Sequence, residues 1–138
     1  MNKKTINDLV VGESSSLTKS FSEADVLQFA QVTGDLNPAH INEEYAQTTI
    51  FKTRIVHGML VGALFSAILG TKLPGLGSIY TYQSLKFVKP VYFDELIRAT
   101  VTVKELIYEK NRVILDCVAK NERDEVVIVG EATIMPPQ

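Results

Sequence analysis

The pattern of hydrophobic positions is continuous in the middle of the chain and alternates towards its end. The middle contains an apolar stretch at 55–70, in which His57 and Ser66 are the only polar side chains. An α-helix that is apolar on all sides belongs inside a protein, so this stretch predicts a long apolar central helix over about 55–70. At about 1.5 Å per residue the helix would be about 24 Å long, shorter than the roughly 30 Å of a bilayer core. We therefore expect a buried helix around which other elements wrap, and no membrane association.

Beyond residue 77 the pattern is typical of β-strands. Residues 78–88 are rich in β-branched and aromatic side chains, which favour strands. Apolar and polar positions alternate at 97–104 and again at 113–119, and 126–135 begins with apolar residues on both faces. The connections between these last three segments are too short for crossover helices, so we predict that the strands are antiparallel neighbours.

The first third of the chain predicts a short strand followed by a capped helix. The strand is expected at 14–19. Ser22 is a good helix N-cap, and Asp25 three residues later completes a capping-box pattern. Gly34 is a natural C-cap, because glycine enters the left-handed region at little steric cost. Residues 35–40 are then expected to be irregular backbone, since a proline there disfavours helical backbone in the residue before it.

Together these elements predict the α+β class, with one antiparallel β-sheet wrapped around the long apolar central helix. The length of 138 residues suits a single domain, 1–138. A net charge of −2 gives no support for a nucleic-acid partner, which usually requires a basic stripe. Cys117 is the only cysteine, so no internal disulfide can form, and the N-terminal residues lack an apolar run long enough for a signal peptide. We therefore expect a cytoplasmic protein.

Asp35 and His40 are the first candidates for chemistry. They lie on one short segment stiffened by proline, and a carboxylate and an imidazole placed this way can hold a water molecule between them. Reference pKa values of about 3.9 and 6.5 make such a pair competent at neutral pH. The alternative is that Asp35 only accepts hydrogen bonds from turn amides after the helix. The spacing alone does not decide between these interpretations.

Gly58 and Ser66 are candidates for contact with a substrate. If the central helix begins at about 55–57, the Gly58 amide is one of the free donors of its first turn and could serve as an oxyanion donor. The alternative for Gly58 is close packing of the helix against a neighbour. Ser66 lies about two turns further on and could touch a substrate, although a helical serine more often bonds back to a carbonyl one turn earlier.

His57 is expected to orient or cap neighbouring groups rather than to act as a second base. A metal site built from Asp35, His40 and His57 is conceivable, but no metal-binding motif supports it, so we expect none. The turn-rich segment 73–77 lacks the ending and the preceding strand of a phosphate-binding loop, which argues against a nucleotide site there.

Several ordered motifs resemble a known family. The segment 29–40 reads FAQVTGDLNPAH and is followed six residues later by Ala46. The segments 55–60 (IVHGML) and 73–80 (LPGLGSIY) follow in order. These motifs resemble the MaoC-like (R)-specific enoyl-CoA hydratases, also called type-2 enoyl-CoA hydratases. The resemblance covers about 22–96 and is greatest to the stand-alone, short-chain members that supply (R)-3-hydroxyacyl-CoA for polyester synthesis.

The resemblance implies the hot-dog fold, a homodimer and an acyl-CoA substrate, with no separate cofactor because CoA is part of that substrate. It implies that Asp35 and His40 are the catalytic pair, Gly58 the oxyanion donor, Ser66 a substrate-binding residue and Asn37 a residue that supports the loop. The expected reaction is reversible hydration of trans-2-enoyl-CoA to (R)-3-hydroxyacyl-CoA, a lyase activity.

Two departures from the family pattern and three alternative functions stay open. Ala39 stands where the signature usually has Leu, Ile or Val, and the segment before Asp94 lacks a glycine that the family often has. The alternatives are a dehydratase acting on acyl-carrier-protein substrates, a hot-dog acyl-CoA thioesterase, and a non-catalytic acyl-CoA-binding module.

Overall fold

The computed structural model describes residues 1–138 and contains six strands, four α-helices and two short 3-10 helices, Ile6–Asp8 and Tyr108–Lys110. The strands form one antiparallel sheet, in which β1, β4, β5, β6 and β2 are neighbours in that order and β3 also pairs with β6. The elements, in chain order, are β1 (Ser14–Lys19), α1 (Glu23–Thr33), α2 (Pro38–Ile41), α3 (Glu43–Ala46), α4 (Gly58–Thr71), β2 (Ile79–Gln83), β3 (Lys86–Phe87), β4 (Ile97–Ile107), β5 (Arg112–Lys120) and β6 (Val126–Met135).

The alternating segments form the predicted strands. In β4 and β5 the inward positions are fully buried, and the register places Val101 opposite Cys117. The antiparallel prediction is confirmed for β4, β5 and β6. The predicted strand at 78–88 is divided into β2 and β3. Between them the Ser84 carbonyl passes only 1.9 Å from where a Cβ on Gly130 would lie, so the glycine permits this close approach.

The central helix begins later than predicted. Residues 55–56 are extended, with the Val56 N–H donating to the Val91 carbonyl at 2.8 Å, and His57 is the N-cap of α4. The helix ends at Thr71, one residue beyond the predicted end. An apolar run cannot distinguish a buried extended segment from the first turn of a buried helix, which is why the predicted start was wrong.

Contrary to the prediction, the helix α4 is not buried on all sides. Six of its residues are buried against the sheet: Val61, Gly62, Leu64, Phe65, Ile68 and Leu69. The opposite face is exposed and carries Met59, Ala63, Ser66, Ala67 and Gly70. The reason is that the sheet of one chain covers only one side of the helix. No helix has the length and apolar character needed to cross a membrane.

A single cluster of buried side chains joins α4 to the inner face of the sheet. Its largest fully buried members include Phe65 and Ile68 from the helix, with Ile97 and Leu115 from the strands. A sheet wrapped around one long helix is the arrangement that the resemblance implied, so the predicted fold class is confirmed.

The helix α1 and the segment that follows it bring the candidate site into place. Ser22 and Asp25 form the predicted capping box, and Gly34 ends the helix with a left-handed φ of 81°. The segment 35–40 is not wholly irregular, because Pro38 starts the short helix α2, which contains His40. Proline disfavours helix in the residue before it but fits the first helical position itself.

The turn that lacks the family's usual glycine is closed by Asp94 instead. Asp94 adopts a left-handed φ of 64°, which aspartate tolerates better than most residues. Its N–H donates to the Phe21 carbonyl at 2.8 Å. The register of β4 after this turn is regular over Ile97–Val103.

Candidate active site

Asp35 lies directly after the cap that ends α1. Its N–H donates to the Thr33 hydroxyl at 3.2 Å, and its Oδ1 accepts a long hydrogen bond of 3.4 Å from the Asn37 N–H. The side chain of Asn37 in turn accepts from the Ala39 N–H at 3.0 Å and so caps α2. Asp35 is exposed, so its carboxylate is available to a bound molecule. Local turn contacts and an accessible carboxylate therefore coexist at this residue.

His40 is anchored through one ring nitrogen. Its Nδ1 lies 2.8 Å from the Ile55 carbonyl oxygen. A carbonyl oxygen only accepts hydrogen bonds, so Nδ1 carries the proton and donates it. In the neutral ring the other nitrogen, Nε2, then holds a free lone pair. This tautomer makes His40 a base at Nε2.

His57 is buried beside both residues, with only 1% of its surface exposed. Its Nε2 donates to the Asp35 carbonyl at 3.1 Å. Its ring is stacked on that of His40, with centroids 3.9 Å apart and planes inclined by 28°. Burial lowers the pKa of His57 below its usual value, the nearby His40 acts in the same direction, and the contacts with Asp35 oppose the change. The neutral form of His57 is therefore favoured.

The three side chains form one cluster. One ligand-type atom from each of Asp35, His40 and His57 lies within 4.8 Å of the other two. Zinc, for example, would need both ring nitrogens at about 2.0–2.1 Å with lone pairs directed at one point. His40 Nδ1 and His57 Nε2 both donate to backbone carbonyl oxygens, so neither of these nitrogens is free to bind a metal ion. The arrangement suits a proton-transfer pair better than a metal site.

Gly58 is the first residue of α4 and borders the same cavity. Its N–H has no acceptor within the chain. A Cβ added to Gly58 would lie 2.6 Å from the Phe87 ring, so the glycine also permits close packing of helix and sheet. The structure therefore fits both interpretations of Gly58. Its N–H is a free donor at the start of the helix, and its lack of a side chain lets the helix pack closely against Phe87.

The cavity has a volume of about 370 Å³, within the usual range for small-molecule sites. Asp35, His40, His57 and Gly58 lie on its polar side. The remaining walls are mainly apolar and are formed by Phe51, Ile55, Val56, Met59, Val61, Phe87, Val88, Pro90, Val91 and Ile128, with Lys89 as the additional charged residue. No local pattern marked the wall contributed by β3 and β6 as part of the site, because these residues meet the helix only in the folded chain.

Ser66 lies elsewhere. It is exposed in a separate shallow groove of α4 and β2, beside Met59, Ala63 and Tyr82. Its hydroxyl makes no hydrogen bond within the chain, so the expected bond to a carbonyl one turn earlier is absent. Within one chain, therefore, Ser66 does not join the cluster around Asp35.

Known proteins resemble this chain in both sequence and structure. The family model described as "MaoC like domain" matches residues 5–126. The (R)-specific enoyl-CoA hydratase of Rhodospirillum rubrum is 52% identical over 130 residues, covering 94% of this chain and 90% of that protein. The 3-hydroxybutyryl-CoA dehydratase of Methylorubrum extorquens is 45% identical, covering 95% of this chain and 83% of that protein. The structure of the R-hydratase PhaJ1 from Pseudomonas aeruginosa is 43% identical, with a TM-score of 0.92 over 99% of this chain and 87% of that chain.

Proposed function

The chain belongs to the MaoC-like domain family, and we propose that it is an (R)-specific enoyl-CoA hydratase. The reaction is reversible addition of water to a trans-2-enoyl-CoA to give the (R)-3-hydroxyacyl-CoA. One observation carries the proposal: the Asp35 carboxylate and the His40 imidazole face a largely apolar cavity that also contains the unpaired Gly58 N–H. A base pair, an oxyanion donor and an apolar wall are what hydration of an enoyl thioester requires.

Asp35 and His40 hold the attacking water. The Asp35 carboxylate accepts a hydrogen bond from one O–H and orients the water oxygen towards C3. His40 Nε2, which holds a lone pair because Nδ1 donates to the Ile55 carbonyl, accepts the other proton as the O–C3 bond forms. Such a positioned base typically contributes about 10²–10⁴-fold to the rate.

Gly58 stabilises the charge that develops on the substrate. As the C2=C3 π electrons move towards the thioester, negative charge collects on its oxygen, and the Gly58 N–H donates to that oxygen. Removal of one such donor costs about 3–4 kcal/mol in related chemistry. His40 then returns its proton to C2, so one water is added and no proton is left over.

The proposed substrate is a short-chain acyl-CoA, and no further cofactor is needed. The apolar walls of the cavity suit a short acyl group. Cys117, the only thiol, is buried in the core, and burial raises its pKa to about 11. It is therefore a poor nucleophile for thioester cleavage. A single cysteine that is buried and not in a disulfide suits a reducing compartment, and this supports a cytoplasmic location.

We also propose a homodimer formed through the exposed face of α4. Met59 is 59% exposed there, and Tyr80 and Tyr82 of β2, which line the same groove, are 42% and 54% exposed. A contiguous apolar patch of this kind marks an interaction surface. The small residues Ala63, Ala67 and Gly70 leave room for a second helix to approach closely. Dimerisation would also cover the groove that contains Ser66.

The deciding experiment measures the loss of enoyl absorbance after the purified protein is mixed with crotonyl-CoA. The chirality of the product is then determined. Rapid conversion to the (R)-alcohol is expected, with a loss of at least about a hundredfold in kcat in the folded Asp35→Asn variant. Release of free thiol without hydration would replace the proposal by a thioesterase. Preference for the crotonyl carrier-protein thioester in competition would change the substrate class, and binding without turnover would leave a non-catalytic module.

A further inference from the structure

We propose that His57 is a positioning residue that holds Asp35 and His40 in reactive alignment from one buried ring. The inference rests on the proposed hydratase function and assigns a specific task to a side chain that does not itself transfer a proton. Two contacts of this ring matter here, one with the backbone of Asp35 and one with the face of His40.

The contact with Asp35 fixes the segment that carries the carboxylate. The Asp35 carbonyl receives the Nε2–H of His57 at 3.1 Å, across 22 positions of sequence. The other contacts of Asp35 are local, to Thr33 and Asn37, and one of them is long at 3.4 Å. The His57 bond therefore ties an exposed turn to the start of α4, where Gly58 follows directly.

The contact with His40 fixes the plane of the second group. The face of the His40 ring lies on His57 at 3.9 Å, while its edge is held by the Ile55 carbonyl at 2.8 Å. Phe29 of α1 also packs against His57, with centroids 4.8 Å apart. One edge contact and one face contact leave the His40 ring little freedom, so its Nε2 has a defined direction.

The unused nitrogen of His57 argues against a purely structural role. Its Nδ1 is buried and has no hydrogen-bond partner within the chain. An unpaired buried polar atom is unfavourable to the folded state, and phenylalanine would fill similar space without it. An imidazole is therefore best explained by the donor that it presents to Asp35.

The charge state of His57 fits the same task. The titratable groups that face it are His40 and Asp35, and burial is the main reason why its pKa is lowered. A neutral ring beside His40 adds no second positive charge while His40 carries the proton taken from water. His57 can thus stay in contact with His40 throughout the reaction without repelling it.

Two variants separate the contacts. His57→Phe keeps a ring against His40 and loses the donor to Asp35, whereas His57→Gln keeps an N–H donor and loses the ring. We expect each to lower kcat on crotonyl-CoA by about tenfold to a hundredfold, as small misplacements of reacting groups do. KM should stay within about threefold of the parent value, because neither change removes an apolar side chain that contacts the acyl group. His57→Phe should keep its melting temperature.

The matched control is Val113→Ala, which removes buried volume in β5 at a distance from the cavity. It should lower the melting temperature and leave kcat unchanged. The inference is overturned if both His57 variants retain kcat within about twofold of the parent, or if their loss appears in KM instead. If one variant does not fold, the other carries the test. An inactive parent protein would refute the proposed function, whereas an active parent with fully active His57 variants refutes only this inference.

Discussion

The His40 ring and the Ile55 carbonyl join α2 to the extended segment that precedes α4. The His40 ring donates to the Ile55 carbonyl at 2.8 Å, and the Ile55 N–H donates to the carbonyl of Ala39, the preceding residue, at 3.2 Å. The extended residues before α4 therefore hold α2 by two hydrogen bonds. The residues directly before α4 are thus extended and fix the imidazole, and the central helix starts at Gly58.

Asn37 should matter through its cap on α2. Its Oδ1 accepts from the Ala39 N–H at 3.0 Å, next to His40. Asn37→Ala removes this acceptor, and loss of an N-cap costs about 1 kcal/mol of stability. We expect kcat to fall about tenfold, because His40 loses part of its support. Asn37→Ser, which restores a capping oxygen, should recover most of both losses in melting and steady-state assays. Equal activity in the Ala and Ser variants would contradict this role.

His57 should make the folded protein sensitive to mild acid. Its pKa is lowered in the folded state, chiefly by burial, so below the unfolded value of about 6.5 the unfolded chain binds more protons than the folded one. The contribution of His57 to the stability of the fold should therefore be fully present above that pH and should decrease as the pH falls towards the folded pKa. The measurement is the melting temperature between about pH 8 and pH 5. His57→Gln should flatten this part of the curve, and an unchanged slope would show that another group is responsible.

Much of the fold could be predicted because its signals are local. Ser22, Asp25 and Gly34 define the ends of α1 through contacts within a few residues, and the alternation in β4 and β5 directly reports which face is buried. The break between β2 and β3 could not be predicted, because Ser84, which lies in it, meets Gly130 only in the folded chain. These residues are distant in sequence.

The site was predictable in part for the same reason. Asp35 and His40 lie five residues apart, so their proximity follows from one short segment. The stacking of His57 on His40 and the wall formed by Phe87 arise only when α4 meets α2 and the sheet. The position of Ser66 on an exposed face could not be read from an apolar stretch, since such a stretch does not show which side of a helix the rest of the chain covers.

Gly58→Ala should weaken substrate binding more than it lowers the stability of the fold. The added Cβ would lie 2.6 Å from the Phe87 ring. Phe87 is 51% exposed and can turn away, so the stability loss should be at the low end of the roughly 1–3 kcal/mol typical of overpacking. The displaced ring is a wall of the cavity, so KM should rise at least about threefold.

The control for this prediction is the double variant Gly58→Ala with Phe87→Ala. It relieves the contact, so its stability should exceed that of Gly58→Ala alone. If KM of Gly58→Ala equals that of the parent while stability falls, Phe87 does not help to bind the substrate. Steady-state kinetics and thermal melting on the same samples distinguish these outcomes.

A charge placed in the exposed face of α4 should separate the proposed dimer. Ala63 lies in this face, one turn from Met59 and Ser66, and contributes no buried contact to the core of its own chain. Ala63→Glu should therefore give a monomer in light scattering, because an unpaired charge buried between two apolar helices is strongly unfavourable. The matched control is Val11→Glu in the segment before β1, at a position that is 60% exposed and shares no groove with α4. It should leave the mass unchanged. A dimeric Ala63→Glu protein would place the interface on another surface, and a monomeric parent protein would refute the dimer itself.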